Sequence, residues 1–119
     1  MVGMPSGRSV ALVSDDLMFA SQLQAAMRRA GGSFALVVGE SVPHASTVFV
    51  DLNNDVDRRI DLITALREER PLGEIVGFCH HGARELRRRA LAAGATRIVN
   101  NGALQAVALR LAGVSTKRP

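Results

Sequence analysis

The sequence predicts a three-layer α/β domain: a doubly wound, parallel, five-stranded sheet of flavodoxin-like order 2-1-3-4-5, with helices on both faces. Three observations carry that prediction. Short apolar runs alternate along the chain with stretches of helical spacing. The runs Val10-Ala11-Leu12-Val13 and Phe34-Ala35-Leu36-Val37-Val38 are continuous rather than alternating, which suits strands covered on both faces. A carboxylate, Asp51, closes the run Thr47-Val48-Phe49-Val50, at the strand end where open parallel sheets place their ligands.

The elements follow in order. Residues 1–8 read as a loose leader, and Val10 to Val13 form a first strand ended by Ser14-Asp15-Asp16. Ala20, Leu23, Met27 and Ala30 recur at three- and four-residue intervals, the stripe of a first helix, which Gly31-Gly32 stops. Phe34 to Val38 is the second strand. The connector from Gly39 to Ser46, with Pro43 inside it, is barely long enough to reach a parallel strand, which takes a dozen or more residues. The second helix of the pattern is therefore expected to be shortened or missing. Thr47 to Val50 is the third strand. Val56, Ile60, Ile63 and Leu66 mark the next helix, with Asp55 as its N-cap and Pro71 beyond its end. Ile75-Val76-Gly77-Phe78-Cys79 is the fourth strand, and its helix buries Ala83, Leu86, Ala90 and Ala93 before ending near Gly94. Arg97-Ile98-Val99 is a short fifth strand, and Leu104, Val107, Ala108 and Leu111 give a last helix. The whole of 1–119 reads as one domain with flexible ends at 1–8 and 114–119.

Composition narrows the function classes. Hydrophobic residues make up 47% of the chain, enough for a core, but aromatics only 3% with no Trp or Tyr, so that core is aliphatic. The net charge of +4 is carried almost entirely by arginine and suits an acidic partner or phosphate. It comes with no recognition motif, which argues against nucleic acid as a partner of this domain. The single cysteine, Cys79, allows no internal disulfide and fits a reducing compartment. The apolar runs are too short to span a bilayer and residues 1–8 lack the apolar core of a secretory signal. A cytoplasmic protein is the expectation. There is no G-x-G-x-x-G after the first strand and no P-loop, and the three histidines support no Ser-His-Asp or Cys-His arrangement. A non-enzymatic domain without a cofactor follows.

From Val10 to about Leu111 the chain resembles the response-regulator receiver domains. The resemblance rests on the five-strand rhythm, on Ser14-Asp15-Asp16 after the first strand, and on Asp51 at the end of the third. It rests also on Ala92-Ala93-Gly94-Ala95, which closes the helix before the fifth strand. It implies that acids after the first strand join Asp51 in holding Mg²⁺, with Asn53 offering its backbone carbonyl, and that Asp51 accepts a phosphoryl group from a histidine kinase. Mg²⁺ demands hard oxygen ligands and bridges carboxylate and phosphoryl oxygens. The acid pair is open between two registers: Ser14 with Asp15, in which one carboxylate is missing, or Asp15 with Asp16.

Other positions depart from the family pattern. Cys79 stands where receivers carry Thr or Ser, and a thiol is a weak donor. His80 stands where they carry a small residue, Asn100-Asn101 replaces Lys-Pro, and Arg97 replaces the switch aromatic. Each lost electrostatic group is typically worth ~3 kcal/mol or more in a transition state. The degenerate pocket of Ser14, Asp15, Asp16, Asp51, Cys79, His80 and Asn100 thus implies a pseudo-receiver, a signalling or transcription-regulating module that works by protein–protein contact. One alternative is a divergent phosphoacceptor using Asp51, with Mg²⁺ at Asp15, Asp51 and Asn53. Another is a small-ligand-binding α/β domain using the cleft above Asp15, Asp51 and Cys79.

Plainer roles stand beside these. Asp51 could bond the amides of its own loop, and Asp16 could start the first helix. Cys79-His80-His81 lacks metal-ligand spacing. Arg84, Arg87, Arg88 and Arg89 form either a solvated face or a partner surface. In receivers the fourth helix, fifth strand and fifth helix make the usual output or dimer face, so Arg84, Arg87, Arg88 and Arg97 are the candidate surface for a protein partner or homodimer.

Overall fold

The computed structural model describes residues 9–39 and 41–111, so the leader and tail expected at 1–8 and 114–119 lie outside it. Five strands, β1 (Ser9–Val13), β2 (Ser33–Val37), β3 (Thr47–Asp51), β4 (Glu74–Cys79) and β5 (Arg97–Asn100), form one sheet in the order 2-1-3-4-5. Every pair is parallel. Four helices, α1 (Leu17–Ala30), α2 (Val56–Glu69), α3 (Arg84–Ala93) and α4 (Leu104–Leu111), cover it, and a 3₁₀ turn at Asn101–Ala103 leads into the last. The order expected from the alternation of runs is the observed one.

Two aliphatic layers hold the sheet. Val10, Leu12, Phe49, Val76 and Phe78 face α1 and α4, where Leu23, Met27, Leu104, Val107 and Ala108 pack on them. Ala11, Val13, Val48, Val50 and Ile75 face α2 and α3, against Leu62, Ile63, Leu66 and Ala90. Each fully buried aliphatic side chain contributes roughly 1.5–3 kcal/mol, which explains why the central strands tolerate no polar residue until their ends. Phe19 and Phe78 meet edge to face at 5.0 Å, an aromatic pair in a mainly aliphatic core.

Local signals set the ends. Asp16 is the N-cap of α1, its Oδ1 accepting from the Met18 amide at 2.8 Å. Gly31 closes the helix in the left-handed region at φ +78°. Asp55 holds the cap position of α2 but, against expectation, makes no capping bond. Its φ of +50° is left-handed, whereas a capping side chain works from extended backbone. The buried stripe of α2 is also shifted: Arg59, Leu62, Ile63 and Leu66 are buried, while Val56 and Ile60 are only half-buried.

Among the described residues no helix lies between β2 and β3. The connector is tied down by side chains instead. Arg70 Nη2 donates to the Val42 carbonyl at 2.8 Å, and Ser46 exchanges hydrogen bonds with Ser9, its amide donating to Ser9 Oγ at 2.8 Å. Val42 and Ala45 pack against the layer under α2 and α3. No described helix is long and apolar enough to cross a membrane.

Candidate functional site

Parallel pairing brings the strand ends to one edge. Val13 is level with Val50, Asp51 with Phe78, and Cys79 with Asn100. Ser14, Asp51 and Cys79 therefore emerge at the carboxyl end of the three central strands, where the loops leading to α1, α2 and α3 converge.

Asp51 is 1% exposed, and both of its carboxylate oxygens are occupied. Oδ2 accepts from Ser14 Oγ at 2.6 Å, in a bond that is itself buried. Oδ1 accepts from the Asn53 backbone amide and from Asn53 Nδ2, each at 2.8 Å. Asn53 is held in turn by a reciprocal amide pair with Asn101, at 3.0 and 3.1 Å, which ties the loop after β3 to the turn after β5. Bonds to an ionised carboxylate are the strong kind, and three of them fix this rotamer.

The three polar residues after β1 divide their labour. Ser14 is fully buried against Asp51 and also accepts from the Asp16 amide at 3.0 Å. Asp15 Oδ2 is 3.5 Å from Arg59 Nη2. Asp16 is spent on the helix cap. Ser14 thus faces Asp51 and Asp15 faces Arg59, while the Asp16 carboxylate is turned to the start of α1.

Arg59 was not legible as a site residue, yet it is the pocket's cation. Its side chain is 5% exposed. Nη1 donates to the Val13 carbonyl at 3.2 Å and to the Asp51 carbonyl at 2.9 Å, while Nη2 faces Asp15. The guanidinium therefore joins the ends of β1 and β3. A signal existed: Arg59 is in phase with Leu62, Ile63 and Leu66, and a cation on an apolar stripe marks a buried partner. The sequence shows Asn101 only as half of the Asn100-Asn101 pair that stands where receivers carry Lys-Pro.

The remaining candidates lie elsewhere. Cys79 belongs to the core under α2 and α3, and burial pushes its thiol pKa up, partly offset by the positive charge of Arg87. His80 and His81 are exposed. Asn100 does not reach Asp51; its Oδ1 accepts from Arg87. A hollow of about 360 Å³ at this end is lined by His81, Gly82, Arg84, Arg87 and Asn100, not by Asp15, Asp51 or Cys79. Among the described residues no group of three or more His, Cys, Asp or Glu is placed to hold a metal.

The arginines of α3 are partly committed. Arg89 pairs with Asp57 of α2 at 2.8 Å, and Arg87 bonds Asn100 and the His80 carbonyl. Arg88 pairs with Glu85, holding that carboxyl below the usual range. On β5, Arg97 pairs with Glu74 at 2.9 Å. Among the described residues, Arg84 is the α3 arginine whose side chain has neither a hydrogen bond nor an ion pair.

No protein-family model and no curated protein matches the chain. Solved structures do, and they are receiver domains. A CheY-like protein (tadZ) from Pseudomonas aeruginosa PAO1 is 20% identical with a TM-score of 0.71, over 94% of this chain and 98% of its own. The receiver domain of the TMAO respiratory system response regulator TorR is 18% identical with a TM-score of 0.76, over 89% and 94%. The receiver domain of Ssk1 from Saccharomyces cerevisiae, solved with the histidine phosphotransfer protein Ypd1, is 16% identical with a TM-score of 0.69, over 89% and 87%. At these identities the likeness is one of fold: this chain has the receiver fold.

Proposed function

We propose that this chain is a regulatory module of receiver fold that acts through protein–protein contact and is not phosphorylated on Asp51 in the usual way. The observation that carries the reading is the closed state of Asp51: a buried carboxylate whose two oxygens accept three hydrogen bonds from Ser14 and Asn53. A phosphoacceptor needs an oxygen free to attack in line, and donors aimed at the charge that develops. Here the thiol of Cys79 sits in the core and Asn100 is turned to Arg87. The chain's single lysine is Lys117, outside the described residues.

The partner face of this reading is α3, β5 and α4. Arg84, Arg88 and Leu91 recur at helical spacing on the outer side of α3, all exposed, and Arg97 is exposed on the edge strand β5. A basic face around an exposed leucine suits an acidic protein surface or a second copy of the chain. The setting is cytoplasmic signalling, including transcription control, with neither an enzymatic reaction nor nucleic-acid binding by this domain. The Ssk1 receiver, crystallised against a protein partner, is an example of the fold serving recognition.

The test is incubation with acetyl phosphate or phosphoramidate and Mg²⁺, read by intact mass. The expected result is no phosphoryl adduct. An adduct that forms only with Mg²⁺ and is lost in Asp51→Asn would replace this reading with that of a divergent phosphoacceptor.

A further inference from the structure

We infer that Arg59 is the resident cation of the acid pocket and excludes divalent metal from it. A cluster of carboxylates at converging strand ends needs positive charge. Receivers would supply it as Mg²⁺, and the residues here do not fit that ion. A metal site requires oxygen donors that are free and convergent. Ser14 stands in place of one carboxylate, Asp15 faces a guanidinium, and Asp51 offers both oxygens to protein donors.

Arg59 meets the same electrostatic need from inside. Its positive charge faces the Asp15 carboxylate at 3.5 Å, and at Asp51 it meets the backbone carbonyl, so the charge lies beside the strand end that carries the second carboxylate. Its Nη1 also satisfies the carbonyls that end β1 and β3, Val13 and Asp51. Asp51 and Arg59 are the charged residues fully buried among those described, so the two were withdrawn from water together. A guanidinium suits this work because its planar fork reaches several acceptors at once and stays charged at any relevant pH. The inference deepens the reading above, and the two fail separately. Selective metal uptake would overturn this one even if Asp51 never took a phosphoryl group.

The experiment titrates Mn²⁺ into the ¹⁵N-labelled chain and follows paramagnetic broadening of assigned amides. In the wild type, no selective broadening is expected at Asp15, Asp51, Leu52 or Asn53. Arg59→Gln keeps an N–H donor for the carbonyls but removes the charge, and Arg59→Met keeps the volume. In either variant, broadening should centre on Asp15 and Asp51, with Mn²⁺ bound at least ~10-fold more tightly than in the wild type. Adding Asp15→Asn should abolish it. Arg59→Lys, which keeps the charge, should go on refusing Mn²⁺. Selective Mn²⁺ binding by the wild type or by Arg59→Lys would overturn the inference. So would folded Gln and Met variants that still refuse the ion.

Discussion

Replacing Ser14 by alanine tests the bond on which the closed state of Asp51 depends. The hydroxyl is fully buried and donates to Asp51 Oδ2 at 2.6 Å. Its removal leaves an almost unchanged shape but strips one donor from a buried carboxylate. A hydrogen bond to a charged group contributes roughly 1.5–3 kcal/mol net. The lower part of that range applies, because Asp51 keeps both Asn53 donors and the Asp16 amide, at an exposed residue, can turn to water. The expected loss is thus about 2 kcal/mol, or a drop of roughly 1 M in the urea midpoint for a domain of this size. With no Trp or Tyr in the chain, far-UV circular dichroism is the probe. The same substitution made in an Asp51→Asn background should cost less, since the charge that strengthens the bond is gone. A loss below about 0.5 kcal/mol, or an equal loss in both backgrounds, would mean that the hydroxyl does not hold Asp51 in place.

Further outcomes are expected at three sites. Asp51→Asn should fold and keep partner binding, at a cost of about 1 kcal/mol or less, because an amide can still accept from Asn53 and donate to Ser14. Asp51→Leu orphans both neighbours and should cost about 3–5 kcal/mol in chemical unfolding. Gly94→Ala should lose at least ~2 kcal/mol: its φ is +123° and a Cβ would meet Arg67 Cβ at 2.7 Å, disturbing the arginine that donates to the Gly94 carbonyl at 2.8 Å. The thiol of Cys79 should react slowly with iodoacetamide in the native chain, since burial raises its pKa. The unfolded chain loses that proton first, so stability is full below about pH 8.5 and declines as pH rises through the folded value. Urea midpoints measured across that window should show a slope in the wild type that Cys79→Ala flattens.

The fold was legible because its strands are short apolar runs buried on both faces, and right-handed crossovers between them leave few topologies. The missing helix was legible because Gly39 to Ser46 is too short to contain one, and Arg70 with Ser46 does the fastening instead. Asp51 could be placed from the strand it ends. Its neighbours could not all be placed, because the decisive contacts span long sequence separations. Asn53 to Asn101 is 48 residues apart, and Arg59 to Val13 is 46. Ser14 reads as an absent acid in the sequence and proves to be the donor that closes the pocket. Asp55 reads as a cap because its type is right, but its left-handed backbone keeps the side chain from the amides.

These contacts bear on what kind of device the domain can be. A switch shifts only as far as its input distinguishes two states. In a receiver pocket the inputs would be a metal and a phosphoryl group, both arriving from solution. Here the buried acceptors are already met by groups of the same chain: Ser14 and Asn53 for the Asp51 carboxylate, and Arg59 for the carbonyls that end β1 and β3, while the half-exposed Asp15 faces the Arg59 guanidinium at 3.5 Å. Opening the pocket to an ion would break several buried charge-assisted bonds, each costly to leave unmade. On the proposed reading, the stabilisation of the pocket and its silence as an input are one property. On the reading proposed above, whatever this domain reports would be carried by its presence at a partner, through the exposed face of α3 and β5, and would vary with concentration or assembly.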